Sequence, residues 1–411
     1  MSIESTMEEI FQNSRKASTF LLNLNSNEKN ALLLKIADAI DNNPKKILDA
    51  NAKDIELSKG KMKESELDRL RLTKDRLISI AKDVRHVATL TDPVGLEEGW
   101  SVPNGLKIRK IRVPFGVIGA IYESRPNVTI DIASLCIKSG NCAILRGSSS
   151  AINSNRALIE VISPILPKGV VQFVDTPDRS AVGIMMKARG KIDLLIPRGG
   201  VELIKRTVEE SKVPVIETGT GNCHIFVDES ADLSKTIPII LNSKCQRPGT
   251  CNSTEKILVH KNIADEFIPK IASALSEKGV EVRGCALTRM IIQDALAATE
   301  SDWSTEYLDL IVAIKVVQNI DDAIEHINKY NSKHTEAILT NNYQNAQKFS
   351  KLIDAAAINV NASTRFTDGG QYGFGAEVGI STQKLHARGP MGLKELTTYK
   401  YVVEGEFHIR S

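Results

Sequence analysis

Among six cysteines, Cys251 stands out because it lies in the segment Gln246-Arg247-Pro248-Gly249-Thr250-Cys251-Asn252. The Pro-Gly pair predicts a loop, and Arg247 puts a cation close to the thiol in sequence. A neighbouring cation, and a helix end close by, favour the thiolate, which is the nucleophilic form. The competing reading is an inert buried thiol, the commoner fate of a free cysteine. Cys136, Cys142 and Cys223 sit in apolar context and fit the inert reading better, while Cys245 lies in a polar setting with nothing positive to assign it a role. The cysteines form no C-x-x-C pair, and the seven histidines form no H-x-x-x-H with a carboxylate. Six thiols and no metal are therefore expected.

Other candidates follow apolar runs, where ligands of open α/β sheets bind at the carboxyl ends of strands. Arg146-Gly147-Ser148-Ser149-Ser150 couples a fixed cation to a small-residue loop, which suits a phosphate or a ribose; the alternative is a surface turn. Arg198-Gly199-Gly200 resembles a dinucleotide-binding turn, although no G-x-G-x-x-G follows any strand. Glu123-Ser124-Arg125-Pro126-Asn127 and Glu217-Thr218-Gly219-Thr220-Gly221-Asn222 occupy equivalent positions after predicted strands.

The elements that must carry these residues follow from periodicity. Residues 4–90 have helical spacing and form a helical leader, and 97–112 read as a hairpin with its turn at Asn104-Gly105, an arm suited to packing on a neighbouring subunit. From 115 onward, strands are predicted at 115–121, 142–146, 170–174, 192–196 and 213–216, with helices at 129–138, 151–162, 179–188 and 201–209 between them. Continuous apolar strands separated by amphipathic helices imply a parallel sheet covered on both faces. A second α/β alternation covers 232–361, with strands at 256–259 and 311–317 and helices at 264–276 and 321–330. A Gly-rich loop at 368–375 and a terminal strand at 397–403 follow.

Composition limits the partners. With 411 residues, 42% hydrophobic, the chain can bury two or three domain cores. A formal charge of +3 argues for neither nucleic acid nor membrane as a partner. The longest apolar runs, 115–122 and 236–241, fall far short of the roughly 20 residues that span a bilayer, and the acidic, polar start lacks a secretory pattern. A cytoplasmic protein is expected.

Several ordered segments carry a family resemblance over nearly the whole chain. They are Val117-Ile118-Gly119-Ala120-Ile121-Tyr122-Glu123-Ser124-Arg125-Pro126-Asn127-Val128-Thr129, Leu135-Cys136-Ile137-Lys138-Ser139-Gly140-Asn141 and Ile196-Pro197-Arg198-Gly199-Gly200. Glu217-Thr218-Gly219-Thr220-Gly221-Asn222-Cys223-His224, the Cys251 segment and Val360-Asn361-Ala362-Ser363-Thr364-Arg365-Phe366 complete the set. Together they resemble the gamma-glutamyl phosphate reductase family, a divergent branch of the aldehyde dehydrogenase superfamily. The resemblance implies an α/β fold of two Rossmann-like parallel-sheet domains, a small β oligomerisation arm and a helical N-terminal segment. It divides the chain into an NADP(H)-binding domain at 1–230 (leader 1–90, arm 96–112, with 362–394 returning to it), a catalytic domain at 231–361 and an oligomerisation strand at 395–411.

It also implies the chemistry. Cys251 attacks the acyl phosphate of L-glutamate 5-phosphate, phosphate leaves, and the thioester is reduced with NADPH to glutamate 5-semialdehyde, the second step of proline synthesis. Asn127 and the Cys251 backbone N–H match an oxyanion hole. Glu217 matches the residue that activates water in hydrolytic members; a reductase is served by excluding water, so a structural or proton-handling part is implied here. Glu306 matches the carboxylate that holds the nicotinamide ribose, the alternative being an exposed loop carboxylate. Arg146 suits the 2′-phosphate of NADPH, with Gly147, Ser148, Arg198, Gly199 and Gly200 beside the cofactor. Ser148-Ser149 departs from the family pattern, where glycine is common. For the substrate, Asn361, Ser363, Thr364 and Arg365 offer donors and a bidentate cation, and Lys384 and Arg388 add charge unless they belong to a solvated face. A homodimer or tetramer and functional coupling to glutamate 5-kinase are further implications. Two other readings stay open: a hydrolytic NAD(P)-dependent aldehyde dehydrogenase, and a nucleotide-binding protein without catalysis.

Overall fold

The computed structural model describes residues 2–410. The chain forms two compact units, the first from Met1–Glu217, Gly373–Gly379 and Met391–Ser411, the second from Thr218–Tyr372 and Ile380–Pro390.

The leader of the first unit is helical as its spacing predicts. In Ser26–Asn42 the positions Leu33, Ile36, Ala37 and Ile40 fall on one face and are all fully buried, and Asn25 with Glu28 forms a capping box at the start. Ion pairs tie the leader down: Lys29 is buried against Asp92, and Arg15 makes a two-pronged contact with Asp193 at 2.7 and 2.8 Å.

The first unit's sheet is parallel and four-stranded, in the order Val171–Phe173, Cys142–Arg146, Val117–Tyr122, Leu194–Arg198. The strand expected at 213–216 is reduced to a single bridge between Leu195 and Val215. Pro214 accepts from the Leu195 N–H at 2.8 Å but has no N–H of its own with which to extend the ladder. The helix expected from 129 starts at Asn127 instead, because Pro126 stands at its N-cap with φ −58°, already close to helical. The hairpin arm pairs Glu97–Ser101 with Lys107–Pro114, and its connection at 102–106 is longer than a two-residue Asn-Gly turn. Thr397–Glu404 adds antiparallel to the other side of Lys107–Pro114, making a three-stranded sheet within this unit.

The second unit is built on a seven-stranded parallel sheet in the order Leu296–Ala297, Glu281–Gly284, Ile311–Val317, Thr254–His260, Cys223–Val227, Thr335–Leu339, Ala357–Val360. Alternation along Cys223–Val227 sends Ile225 and Val227 to one face and Phe226 to the other. On the first face they meet Phe267, Ile268, Ile271 and Leu275 from helix Lys261–Ser276. On the second, Phe226 packs with Phe349, Ile324 and Ile327.

This pairing corrects the domain division. Cys223–Val227 lies between Thr254–His260 and Thr335–Leu339, so the chain must enter the second sheet well before residue 231. Of the returning segment 362–394, residues 362–372 and 380–390 stay with the second unit, where Thr218 bridges to Ser381 and Asn252 donates to the Thr367 carbonyl. No helix among the described residues is long and apolar enough to cross a membrane.

Phe267 is fully buried at the centre of one of these cores. Phe267→Ala is expected to lower stability by about 3–5 kcal/mol, read as a shift of the denaturant midpoint at unchanged slope.

Candidate active site

Cys251 lies in the turn between helix Leu233–Cys245 and strand Thr254–His260, partly exposed. The helix end beside it is a C-terminus, whose partial negative charge disfavours a thiolate, so that part of the sequence argument is corrected. The favourable charge is the guanidinium of Arg365, which interacts with both the Cys251 thiol and Arg247. Burial lowers the Arg365 pKa, Arg247 lowers it further, and Asp368 and the Cys251 thiol act in the opposite sense. Arg365 is also fixed mechanically to the Cys251 turn. Its Nε donates to Gln246 at 3.1 Å and its Nη1 to Thr250 Oγ1 at 2.9 Å and to the Asn252 side chain.

From the other side, residues just before the neighbouring strand close on Cys251. The Cys223 thiol is buried, and burial raises its pKa well above that of a free cysteine, so it keeps its proton and donates to the Cys251 carbonyl at 3.2 Å. A Cβ on Gly221 would stand 1.4 Å from that same carbonyl oxygen, so only glycine fits. The Gly221 N–H donates to Glu306 at 2.6 Å, and the Asn222 side chain donates to the carbonyls of Trp303 and Tyr330 at 2.8 Å. Gly221, Cys251 and Glu306 all precede strands, so the cluster sits at the amino edge of a parallel sheet, the opposite edge from the usual ligand position.

Buried charges underlie this edge. Lys244 pairs with Glu255 at 3.0 Å with both side chains fully buried, and Lys256 donates to the Thr305 carbonyl at 2.8 Å beneath the Tyr307 ring. Burial pushes Glu255 up to about 7 and Lys256 down to about 8, with their mutual attraction opposing both shifts.

The first unit gathers a second cluster at the carboxyl edge of its sheet. Ser124 Oγ, Ser150 Oγ and Ser148 Oγ form a hydroxyl chain with spacings of 2.7 and 2.8 Å. Glu123 accepts no side chain at Gly199: a Cβ there would lie 2.5 Å from its carboxylate carbon, and the Glu123 N–H donates to the Arg198 carbonyl at 3.0 Å. Gly147 is equally constrained, with Asn155 only 2.1 Å from where a Cβ would be, whereas a Cβ at Gly200 would make only ordinary contact with Glu123 at 3.6 Å. Arg146 is buried at 7% exposure, and it donates to the carbonyls of Gly147, Pro177 and Asp178, leaving its Nε buried without a partner. In the same unit Asn127 donates to Asp131 at 2.8 Å, and burial raises the Asp131 carboxyl to about 7.

The remaining sequence candidates are placed as follows. Glu217 is a partly buried loop residue at the end of the first unit's long segment. Asn361, at φ 54°, pairs its side chain with the Thr340 backbone, Ser363 contacts Ser243 at 2.9 Å, and Thr364 contacts Thr254 at 3.1 Å; all three use their polar groups within the fold. Lys384 and Arg388 are both held by Asp354, at 3.1 and 2.7 Å. Of the proposed substrate group, only Arg365 reaches the Cys251 turn directly. Sequence reasoning named the segments holding Ser124, Ser150 and Gly221 without giving those residues a role, read Cys223 as inert, and did not single out Lys256. The available signal for Lys256 was the charged pair Glu255-Lys256 opening an otherwise apolar strand.

Two outcomes follow. Gly221→Ala is expected to cut turnover at least about a hundredfold, because the Cys251 peptide must move to admit the methyl group; steady-state kinetics checks it. The raised Asp131 pKa means the folded state holds a proton that the unfolded state releases above about pH 4. Asp131 therefore removes stability as pH rises toward 7, and no more beyond it. Urea unfolding at pH 5 and pH 8 is expected to show Asp131→Asn gaining stability relative to the parent at the higher pH.

Residues 2–300 match the aldehyde dehydrogenase family. Gamma-glutamyl phosphate reductase of Caldanaerobacter subterraneus is 56% identical over 96% of this chain and 97% of its own, and that of Thermotoga maritima is 54% identical over 98% and 100%. The crystal structure of the Thermotoga maritima enzyme superposes with a TM-score of 0.96, covering 98% of this chain and 99% of that one. An acetylating aldehyde dehydrogenase from Geobacillus thermoglucosidasius, at 17% identity and a TM-score of 0.74 over 100% of this chain and 98% of its own, shares the fold. The chain belongs to the aldehyde dehydrogenase family and, within it, to the gamma-glutamyl phosphate reductases.

Proposed function

We propose that the chain reduces L-glutamate 5-phosphate to L-glutamate 5-semialdehyde and inorganic phosphate, with Cys251 as nucleophile and NADPH as reductant. The observation that carries this reading is the Cys251 turn itself: a partly exposed thiol that interacts with the Arg365 guanidinium, its carbonyl pinned by Cys223 and covered by Gly221. The thiolate attacks the acyl carbon, the bond to the phosphate oxygen breaks, and phosphate leaves with the electron pair, giving a thioester. NADPH, when bound, supplies the hydride that reduces the thioester, and collapse of the adduct returns the thiolate. Asn127 donates an N–H to the oxygen that gains charge. Glu217 handles a proton rather than activating water. Arg365 presents its guanidinium to an anionic group of the substrate.

The carboxyl edge of the first unit suits a dinucleotide phosphate. Arg146 has a buried Nε without a partner, Ser148 belongs to a chain of hydroxyls, and Arg198, Gly199 and Gly200 open the next helix. With no acidic side chain in the Arg146-to-Ser150 turn, a 2′-phosphate meets no repulsion from it, which favours NADPH over NADH. Glu306 is assigned to a ribose hydroxyl. A cytoplasmic homo-oligomer joined through the hairpin arm completes the proposal. Because an acyl phosphate hydrolyses readily, its supply is assigned to glutamate 5-kinase acting in close coupling.

The hydrolytic alternative is separated by running the reaction backward. Reduction of NADP+ by glutamate 5-semialdehyde is expected to require inorganic phosphate, which releases the thioester; full rate in phosphate-free buffer would falsify the proposal. Cys251→Ala is expected to abolish turnover while NADPH binding, followed by fluorescence, is retained.

A further inference from the structure

The buried ammonium of Lys256 has a neighbour arrangement that ion pairing alone does not explain. Glu255 is already paired at 3.0 Å with Lys244, so it does not require a second cation. Taking an ammonium out of water costs several kcal/mol, and an apolar side chain of the same length would fill the space without that penalty. What Lys256 touches directly is the segment around Glu306. Its Nζ donates to the Thr305 carbonyl at 2.8 Å and lies 4.4 Å from the centre of the Tyr307 ring. The residues on both sides of Glu306 are thus held by one cation. Tyr307 is fixed further by donating to Asp302 at 2.7 Å, and the Leu308 N–H donates to Glu255 at 3.3 Å.

The chain of contacts then runs to the nucleophile. Glu306, held at both flanks, accepts the Gly221 N–H at 2.6 Å, and Gly221 lies against the Cys251 carbonyl with no room for a methyl group. We propose that Lys256 is a positioning residue for the Cys251 turn, acting through Glu306 and Gly221. The role rests on the reading of Cys251 as nucleophile, but its structural part does not: the contacts order the turn whatever the turn does.

Hydrogen exchange on the full-length protein without nucleotide tests the structural part, so the assignment of Glu306 to a ribose does not enter. In Lys256→Met, peptides covering 219–224 and 248–253 are expected to exchange about tenfold faster, with the rest of the second unit unchanged. Kinetically, kcat is expected to fall about tenfold or more with the KM for the acyl phosphate within about threefold, and Lys256→Arg to restore most of the loss, since a guanidinium can also donate to Thr305 and stack on Tyr307. Lys244→Met removes the other buried cation without touching 305–307, and is expected to lower stability while leaving exchange at those peptides at the parent rate. Should Lys256→Met fail to fold, Glu306→Leu and Glu306→Gln give the same test: the amide oxygen can still accept from Gly221, so Gln keeps the slow exchange and Leu loses it. Parent-like exchange in Lys256→Met or in Glu306→Leu, or the same acceleration in Lys244→Met, overturns the proposal. Slowed turnover without faster exchange overturns it as well. If turnover instead survives Cys251→Ala while exchange behaves as described, the reading of Cys251 as nucleophile fails and the positioning role stands.

Discussion

The second unit is organised around a contact between two stretches of main chain, Gly221 against the carbonyl of Cys251. Backbone can approach backbone this closely only where no Cβ intervenes, so one glycine sets the separation of the two strand entrances. Once that separation is set, the Cys223 thiol reaches the same carbonyl and the Gly221 N–H is directed at Glu306. Arg365 closes the opposite side through Thr250 and Asn252. The Cys251 thiol therefore hangs from a peptide unit constrained on several sides, while the side chain itself keeps partial access to solvent. Orientation of this kind is prepared before substrate arrives.

Beneath that peptide lies a group of charges that burial makes expensive. Lys244, Glu255 and Lys256 leave water together, and Glu336 and His224 are fully buried on the next two strands, 3.0 Å apart, with burial raising the carboxyl pKa and lowering that of the imidazole. Such groups contribute little net stability compared with apolar packing, but each has a directional partner, and directional partners specify one arrangement of loops over others. The cores on either face of the sheet supply the stability; the polar layer at the amino edge supplies the geometry.

How much of this was legible in the sequence depends on the kind of signal. The strands Cys142–Arg146 and Ile311–Val317 emerge at their predicted limits, because uninterrupted apolar runs bounded by turns have few alternative readings. Cys223–Val227 was harder to see, since its run is short and opens with Cys and His, and missing it moved the domain boundary. Cys251 was visible from its Pro-Gly loop and basic neighbour, yet the electrostatic argument had the wrong helix end, which only the chain's path reveals. Arg365 was chosen for capturing an anion, and its grip on Thr250 and Asn252 could not be read from residues more than a hundred positions away. Lys256 could be noticed only as half of a charged pair opening an apolar strand, because a charged residue in a strand carries no label for the carbonyl it will meet.

The three-stranded arm has a consequence for how the molecule is made. Its central strand, Lys107–Pro114, pairs with Thr397–Glu404, partners separated by more than two thirds of the chain. A hairpin of two strands is marginal alone, so the arm waits for its third. At ribosomal speeds of about 5–20 residues per second, the roughly 290 residues between them take about 15–60 s to synthesise. Throughout that interval Lys107–Pro114 offers an unpaired edge to whatever is nearby, including the same strand on a neighbouring nascent chain, and the arrival of Thr397–Glu404 ends the exposure.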